Sequence, residues 1–401
     1  MRLVFICSRD FHVNNYMSLI RYCSRRNIEL DPIIFSVDNW THGGASEILI
    51  KNNINFYKVP RKFGRKRPYF ANKLALVELL ISIPFLVYFF LEVFNKKRPD
   101  GFFVEQKNGF FEFIFSVFAQ KYRSKLIIYQ HGYEMFNDFK VQSEIGLIKS
   151  AVFRYLVRGI SWVFIFKCLE RLRRVKYDLC LVYSSYAEGV ARRQLECDNF
   201  SVCGSLSLQN LLGSERLERL ERSGEGVLIC SNGFLRYANS KLRLETLKKM
   251  STCYFFFHKC TPVKIRLKPG EFVTQKEIDI YFQKDDIFVD NCVELSEQLK
   301  SFRYAIFANT STVGLECAII GNKVMTYDFT GASYGFFPEF YKKIGIQSSL
   351  NEGDTNCESK LRLFSNINVE KMEFYTGSLS NNGNMCIVSA IKSVMDYDYE
   401  R

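Results

Sequence analysis

The chain has 401 residues, of which 47% are hydrophobic and 24% charged, and this balance excludes a disordered or fibrous protein. Its 55 Lys and Arg residues against 42 Asp and Glu residues give a net charge of +13, which favours an anionic partner: nucleic acid, anionic lipid or a phosphorylated small molecule. The 13 cysteines form no CxxC pair and follow no signal peptide. We therefore expect no zinc site, and reduced, mostly buried thiols in the cytosol.

The first half of the chain alternates short apolar runs with segments of helical spacing. Strands are predicted at 2–8, 30–36, 56–59, 101–105, 125–130, 177–183 and 199–204, with helices at 14–25, 72–95 and 111–120. This order is typical of a parallel sheet covered by helices on both faces. A basic and aromatic helical segment at 140–175 interrupts the rhythm.

The same alternation starts again after a polar, charged stretch at 206–225. Strands are predicted at 226–230, 263–267, 287–290, 304–308 and 323–327, with helices at 241–250, 293–302, 313–320 and 387–395. The sequence thus predicts an α/β protein of two similar domains, one over 1–215 and one over 216–401 that includes the terminal helix.

The apolar segment 74–94 has the length of a membrane span, but Glu78, Pro84 and Glu92 interrupt it. Three interpretations remain: a buried helix, an apolar face resting on an anionic leaflet, and a true span. The first two can hold together. The basic run 61–67 precedes the segment, and a second apolar stretch lies among the basic residues of 154–174. These clusters favour a peripheral position on the inner face of the cell membrane.

A predicted strand runs directly into a polar loop, Asn309, Thr310, Ser311 and Thr312, and an apolar helix follows. Hydroxyls and free N–H groups at a helix N-terminus suit a phosphate, and the carboxyl end of a parallel strand is where open α/β sheets bind ligands. Glu316, one turn into the helix, could reach a ribose hydroxyl. The alternative is an ordinary N-cap with an exposed Glu316.

Two further segments precede the polar loop 309–312: VKIRLKPGE at 263–271 and VELSEQLKSF at 293–302. The order of these three segments carries a resemblance to a known family. It resembles the C-terminal half of GT-B glycosyltransferases of bacterial surface polysaccharide synthesis, which include capsule and lipopolysaccharide sugar transferases and the CDP-glycerol glycerophosphotransferases. The His-Pro of that group is Lys268-Pro269 here, which keeps a cation but not a neutral imidazole. In the first half, Gln130-His131-Gly132 after a strand resembles a signature of the same group.

The resemblance implies two Rossmann-like domains facing a cleft. Donor phosphate would lie at the polar loop 309–312 near Lys268 and Arg266, which alternate along a strand and could instead be a solvated strand edge. His131 is a candidate base or phosphate ligand, and Glu105, at the end of a strand, is the second candidate base. Structural roles remain open for both.

Asp10 and His12 follow the first strand, where an acceptor would enter, and they could instead serve the loop alone. No Asp-x-Asp motif stands at a predicted strand end, so we expect neither an essential metal nor another cofactor. We also expect no nucleic-acid partner, because no helix-turn-helix or aromatic-basic recognition motif occurs.

The resulting hypothesis is a metal-independent, inverting GT-B glycosyltransferase. It would move a sugar from a nucleotide-activated donor to a growing, lipid-linked cell-surface polysaccharide. The alternatives are a GT-B-fold nucleotide-sugar epimerase or hydrolase, a polyol-phosphate transferase of the glycerophosphotransferase type, and a non-catalytic membrane- or nucleic-acid-binding protein.

Overall fold

The structure is a computed structural model. It describes residues 1–7, 10–37, 45–60, 73–105, 110–130, 175–215, 224–231, 235, 241–268, 271–283, 287–290, 293, 295–308, 313–329, 336–346, 356–365, 368–379 and 382–396. The chain forms two compact units. The first takes in the described residues up to Gln209 and those from Tyr375 onward, and the second takes in those from Asn210 to Phe374.

The first unit is built on a parallel sheet of seven strands in the order β3-β2-β1-β4-β5-β6-β7. The strands are β1 Arg2–Cys7, β2 Asp31–Ser36, β3 Tyr57–Lys58, β4 Gly101–Val104, β5 Lys125–Tyr129, β6 Lys176–Val182 and β7 Glu196–Val202. Its helices are α1 Asp10–Arg25, α2 Ala45–Lys51, α3 Lys73–Lys97, α4 Phe110–Tyr122, α5 Ser185–Gln194 and, at its limit, α6 Leu206–Glu215.

Phenylalanine fills much of the core on one face of this sheet. Phe90 and Phe94 of α3 are fully buried and stack 5.7 Å apart, and the Phe94 ring meets Phe102 of β4 edge-on at 5.1 Å. Phe115 of α4 completes the cluster. Central strands such as β4 are buried on both faces, which explains why they appear in the sequence as continuous apolar runs.

The second unit has a parallel sheet of four strands in the order β11-β10-β8-β9. The strands are β8 Val227–Cys230, β9 Val263–Arg266, β10 Tyr304–Ala308 and β11 Lys323–Tyr327. Its helices are α7 Lys241–His258, α8 Gln275–Tyr281, α9 Leu295–Lys300, α10 Val313–Ile320, α11 Phe336–Lys343, α12 Cys357–Leu361 and α13 Val369–Thr376. The two parallel sheets confirm the predicted α/β class with two domains.

The last helix, α14 Gly383–Asp396, packs against α1, β6 and β7 of the first unit. The sequence pattern predicts this helix as part of the second domain, 216–401, whereas it belongs to the first unit. The reason is its apolar face, formed by Ile387, Val388, Ile391 and Val394, which is buried there. Nothing in the linear order of elements indicates that a chain returns to its first sheet.

The described part of α3 has apolar side chains on two faces, one buried in the core and one exposed to solvent. Leu86, Phe90 and Phe94 are buried, whereas Phe85 is 49% and Tyr88 is 71% exposed. Within the part of the chain that the structure describes, no helix meets the length and apolarity needed to cross a bilayer. The basic run 61–67 and the segment 140–174 lie outside the described residues.

Candidate functional site

The first sheet has one point at which successive connections leave in opposite directions. The chain passes from β1 to its neighbour β2 on one side, and from β4 to its neighbour β5 on the other, while β1 and β4 lie side by side. The connections that follow these two strands therefore lead to opposite sides of the pair. Open α/β sheets bind ligands at this topological switch point.

Two sequence-predicted residues meet at that edge. The His12 Nε2 atom lies 3.0 Å from the Glu105 Oε2 atom, and both side chains are almost completely buried, at 3% and 2% exposure. Glu105 directly follows β4, and His12 lies in the first turn of α1, which begins three residues after β1 ends. In a site shielded from water, the attraction between a carboxylate and a neighbouring imidazole is stronger than at the protein surface.

The helical start explains how His12 reaches the carboxylate. The sequence predicted a loop up to residue 13, but α1 already begins at Asp10. His12 and Tyr16 are thus one turn apart on one helix face, with their rings stacked at 6.4 Å. Tyr16 is buried, and its hydroxyl donates to the Ile6 carbonyl oxygen at 3.3 Å. Burial raises the pKa of Tyr16 well above its usual range, and the charge of Glu105 adds to the rise.

The other two site residues predicted in the first unit are Asp10 and His131. Asp10 opens α1, but its side chain is not among the described ones, and His131 lies outside the described residues. Gln130, which precedes it, is buried at the end of β5, where its Oε1 atom accepts a hydrogen bond of 2.8 Å from the Tyr183 backbone N–H. Residue 131 thus follows the carboxyl end of a strand, as the sequence predicted.

The second sheet has its own switch point between β8 and β10, because β8 leads to β9 on one side and β10 leads to β11 on the other. Ser231 directly follows β8 and is buried. The predicted donor loop, Asn309, Thr310, Ser311 and Thr312, follows β10 and lies outside the described residues. Glu316 is half-buried in the first turn of α10.

A buried carboxylate, Glu271, connects the turns after β8 and β9. Its Oε1 atom accepts from the Leu235 backbone N–H at 2.8 Å, and its Oε2 atom accepts from the Lys268 backbone N–H at 2.8 Å. The Ser231 hydroxyl donates to the same carboxylate and accepts from the Lys268 N–H at 2.7 Å. The network fixes the backbone at Lys268, whose side chain is exposed.

Arg266 has a structural contact that the sequence did not predict. It is 9% exposed, and its Nη1 atom donates to the Val293 carbonyl at 2.9 Å and to the Gln298 side chain. These bonds attach β9 to the start of α9. The predicted phosphate contact of Arg266 stays a hypothesis, and the solvated strand edge considered as its alternative is not what the structure has.

Arg243 holds the turn that follows Glu271. Its Nε and Nη2 atoms pair with the Glu277 carboxylate at 2.7 and 2.6 Å, Nη2 also donates to the Phe272 carbonyl at 2.8 Å, and Nη1 donates to Leu235. The hydrogen bond from Arg243 lowers the pKa of Glu277 from 4.5 to about 2. Buried bidentate Arg–carboxylate pairs are specific as well as strong.

We expect Glu277→Gln to destabilise the second unit at neutral pH by about 1–3 kcal/mol, because Arg243 loses its charged partner in a buried place. The depressed pKa of Glu277 means that this stabilisation is present above about pH 4.5 and is lost as the pH falls towards 2. Urea unfolding of the wild type and the variant at pH 7 and pH 3 measures the difference in their free energies of unfolding. A variant equally destabilised at both values would contradict the pairing.

No three His, Cys, Asp or Glu side chains group as metal ligands within the described residues. The described cysteines are free thiols, and burial raises the pKa of Cys203 and Cys253, so neither is a reactive thiolate.

The sequence indicated His12 and Glu105 separately, His12 as an acceptor contact and Glu105 as a candidate base. Their pairing depends on the adjacency of β1 and β4, which are 98 positions apart in the paired register Leu3–Gly101. The contact between Ser231 and Glu271 was not predicted from the sequence. Their positions could have indicated it, since each residue lies just after a predicted strand of the second domain.

No protein-family model matches the sequence, and no curated protein matches it at a significant level. Solved structures do match along the whole chain. A Listeria monocytogenes protein assigned as a UDP-N-acetylglucosamine 2-epimerase has a TM-score of 0.60 at 10% identity, with 99% of this chain and 97% of that chain covered. The glycosyltransferase of kitacinnamycin has a TM-score of 0.60 at 14% identity, with 98% and 99% covered.

Phytolacca americana UGT2, solved with UDP-2-fluoro-glucose and pterostilbene, has a TM-score of 0.59 at 8% identity and covers 98% of this chain and 99% of its own. Identities this low establish the fold alone. The chain has the two-domain α/β fold that these glycosyltransferases and the epimerase share, known as GT-B.

Proposed function

We propose that this chain is a GT-B transferase that moves a sugar from a nucleotide-activated donor to an acceptor hydroxyl, with His12 as the general base. The observation that carries the proposal is the buried His12–Glu105 pair at the switch point of the first sheet. It revises the roles expected from the sequence: His12, predicted as an acceptor contact, becomes the base, and Glu105 becomes the residue that orients it.

The geometry assigns a proton position to the imidazole. We place the proton on Nε2, the ring nitrogen that lies 3.0 Å from the Glu105 carboxylate, so that Nδ1 carries the lone pair. As the acceptor oxygen forms its bond to the anomeric carbon, Nδ1 takes the hydroxyl proton and the nucleotide leaves with the bonding electrons. Glu105 stabilises the imidazolium that results. Direct displacement of this kind inverts the anomeric configuration.

His12 is nearly inaccessible to solvent in this conformation. Acceptor binding therefore has to open the surroundings of the ring before the proton can be transferred. Exclusion of water afterwards would strengthen the interaction between the imidazolium and Glu105.

For the donor we propose the carboxyl edge of the second sheet. Lys268, with its backbone fixed by Glu271 and Ser231, would offer a cation to the phosphates. The loop 309–312 would offer hydroxyls and N–H groups, with Glu316 directed to the ribose. His131 stays a candidate phosphate ligand or second base, and Asp10 a candidate acceptor contact.

Replacing Ser311 and Thr312 together by alanine should weaken nucleotide binding by at least about tenfold, because hydrogen bonds to charged groups contribute about 1.5–3 kcal/mol each. Isothermal titration with the preferred nucleotide measures the loss. Thr252→Ala serves as a matched control, because the Thr252 hydroxyl donates to the Lys248 carbonyl of its own helix at 3.0 Å. Unchanged affinity in the double variant would contradict the placement of the donor.

The function itself is tested by a donor screen. Thermal shift with UDP, GDP, CDP and CMP identifies the nucleotide, and the corresponding sugar nucleotides are then incubated with the enzyme alone and with a bacterial membrane extract as acceptor source. Acceptor-dependent release of the nucleotide supports a transferase. Transfer of a polyol phosphate would be seen as CMP release from CDP-glycerol.

The epimerase alternative has a specific observation in its favour, since the similarity to the Listeria protein assigned as a 2-epimerase is as high as that to the transferase. In that case the His12–Glu105 pair would move a proton at C2 of the sugar. Epimerisation of UDP-N-acetylglucosamine, with C2 deuterium incorporation in D₂O and no need for an acceptor, would replace the transferase proposal.

We further propose that the acceptor is a cell-surface glycan at a membrane and that α3 helps to hold the enzyme there. Phe85 and Tyr88, one turn apart, are exposed opposite the buried Phe90. Aromatic side chains beside basic sequence clusters suit an anionic bilayer surface.

Binding to vesicles that contain 30% anionic lipid should fall as salt rises, and Phe85→Ser with Tyr88→Ser should weaken it by about three- to tenfold, in line with the loss of apolar area. Ile50→Ser, an exposed apolar residue on α2, is the control. Salt-independent binding, or equal loss in the control, would contradict this surface.

A further inference from the structure

One residue, Glu271, holds both peptide groups that flank the Lys268 Cα atom. The Lys268 N–H donates to the Glu271 Oε2 atom at 2.8 Å, and the Lys268 carbonyl accepts from the Glu271 backbone N–H at 2.9 Å. The second bond joins residues three positions apart, as in a tight turn, and the sequence Pro269-Gly270 between them is typical of one. The direction in which the Lys268 side chain leaves the backbone is therefore fixed.

Glu271 can fix Lys268 because its own carboxylate is fixed. The Leu235 backbone N–H donates to Oε1 at 2.8 Å, and the Ser231 hydroxyl donates to Oε2. Leu235 is fully buried, and its carbonyl accepts from Arg243. Both carboxylate oxygens are thus held by groups that belong to other, buried parts of the second unit.

A buried carboxylate is a costly group to use for a turn alone. Glu271 is 8% exposed, and within the described ranges its donors are two backbone N–H groups and one hydroxyl, with no ion pair among them. Neutral donors offset only part of the free energy that a carboxylate loses when it leaves water. A Pro-Gly turn does not need such a group to form. The carboxylate therefore adds precision to the backbone of a residue whose side chain is exposed.

The place of Lys268 gives this precision a use. Lys268 follows β9 at the carboxyl edge of the second sheet, and β9 pairs with β8, one of the two strands of the switch point. A lysine ammonium lies at the end of a flexible stem, so ordering it on a ligand costs conformational entropy. A backbone that is fixed beforehand lowers this cost and raises affinity.

We propose that Glu271 is a positioning residue that acts through Lys268: it fixes the backbone from which the Lys268 ammonium group reaches the donor phosphates. Its effect on donor binding rests on the proposed function, whereas the contacts themselves do not. A carboxylate that served the fold alone would affect stability in the same way whether or not Lys268 is present.

The first test measures the backbone amide of Lys268 in the full chain, with Glu271→Gln as the variant. Glutamine keeps the size of the side chain but has no charge and one acceptor oxygen instead of two. In protein labelled with nitrogen-15 lysine, the Lys268 signal is assigned by its loss in Lys268→Arg. We expect this amide to exchange with water at least about tenfold faster in Glu271→Gln, because its charged acceptor is gone. Glu297→Gln, which removes an exposed carboxylate of the same unit, is the matched control and should leave the rate unchanged.

An unchanged exchange rate in Glu271→Gln would overturn the inference, as would an equal acceleration in Glu297→Gln. If Glu271→Gln does not fold, Ser231→Ala decides, since it removes one donor to the carboxylate and one acceptor of the Lys268 N–H. Faster exchange at Lys268 in Ser231→Ala supports the network, and an unchanged rate rejects it.

The second test is a double-mutant cycle on the affinity for whichever of UDP, GDP, CDP and CMP binds, measured by isothermal titration well below the unfolding temperature of each variant. Glu271→Gln should raise Kd about two- to tenfold, since Lys268 then has to be ordered when the nucleotide binds. In the Lys268→Ala background the same replacement should change Kd by less than about 1.5-fold, because the residue through which it acts is gone. Equal losses in both backgrounds would assign Glu271 a purely structural role and overturn the inference.

The failure of this inference differs from the failure of the proposed function. Loss of affinity in Lys268→Ala but not in Glu271→Gln would overturn the inference alone and retain the proposed donor site. Unchanged affinity in Lys268→Ala, or no binding of any of the four nucleotides, would reject the proposed donor site and the positioning role together. The exchange rate of the Lys268 amide would then still show whether Glu271 holds that backbone.

Discussion

Replacing His12 by glutamine should lower kcat for sugar transfer by about 10²–10⁴-fold while the affinity for the nucleotide stays within about twofold. Glutamine can still donate a hydrogen bond to Glu105, so the buried carboxylate keeps a partner and the fold is retained, but an amide cannot take up the acceptor proton. Nucleotide release under saturating donor, with thermal unfolding as the check on folding, measures both quantities.

The matched control is His258→Gln. His258 is exposed on α7 and stacks on the Tyr254 ring at 5.1 Å, far along the chain from the first sheet. The His258→Gln variant should keep wild-type activity. The kcat of Glu105→Gln should lie between those of His12→Gln and His258→Gln, because the imidazole remains but loses the charge that stabilises its protonated form. A fully active His12→Gln variant would remove His12 from the mechanism.

Gly377→Ala should destabilise the first unit by more than about 3 kcal/mol. Gly377 has a φ of +79°, a conformation that favours glycine, and a methyl group there would lie 1.8 Å from the Tyr183 carbonyl oxygen and 2.8 Å from the Gly204 Cα atom. Both neighbours are backbone, so no side-chain rotation can relieve the overlap.

The consequence extends beyond one contact, because Gly377 lies where the chain re-enters the first unit. Next to it, the Gln209 Nε2 atom donates to the Ser378 carbonyl at 2.9 Å, and the Ser184 hydroxyl donates to the Tyr375 carbonyl at 3.1 Å. An overlap at Gly377 disturbs the attachment of α14 as well. We expect loss of soluble protein or a much lower unfolding temperature.

Gly189→Ala is the corresponding control. Gly189 lies inside α5, and a methyl group there would meet nothing within 4 Å. Alanine should stabilise that helix by about 0.5–1 kcal/mol. Urea unfolding of the two variants should therefore give changes of opposite sign. Similar stability of Gly377→Ala and the wild type would show that the return segment is packed differently.

The fold was largely predictable because its signals are local. Buried parallel strands appear as continuous apolar runs, as in Gly101–Val104 and Tyr304–Ala308, and the helices between them show periodic apolar positions. The return of α14 to the first sheet was not predictable, since its apolar face fits either domain and only tertiary packing selects one. The start of α1 was placed four residues late for a similar reason: Asp10 to Val13 have no distinctive helical pattern.

The candidate site was predictable residue by residue but not as a pair. The rule that ligand-binding residues follow strand ends selected His12 and Glu105, yet the sequence does not say that the first and fourth strands are neighbours. Strand order is a long-range property, and it alone brings a candidate acceptor contact and a candidate base together as one buried ion pair. Glu271 was overlooked because a single carboxylate after a Pro-Gly turn resembles an ordinary surface residue.

The central claim, that the His12–Glu105 pair supplies the base for sugar transfer, is tested most directly by the pH dependence of nucleotide release. The rate is measured from about pH 5 to about pH 9 for the wild type and for His12→Gln at saturating donor and acceptor. A general base predicts a rate that rises with pH to a plateau in the wild type, and a low rate without that rise in the variant. The same rising limb in both proteins, at comparable rates, would contradict the claim.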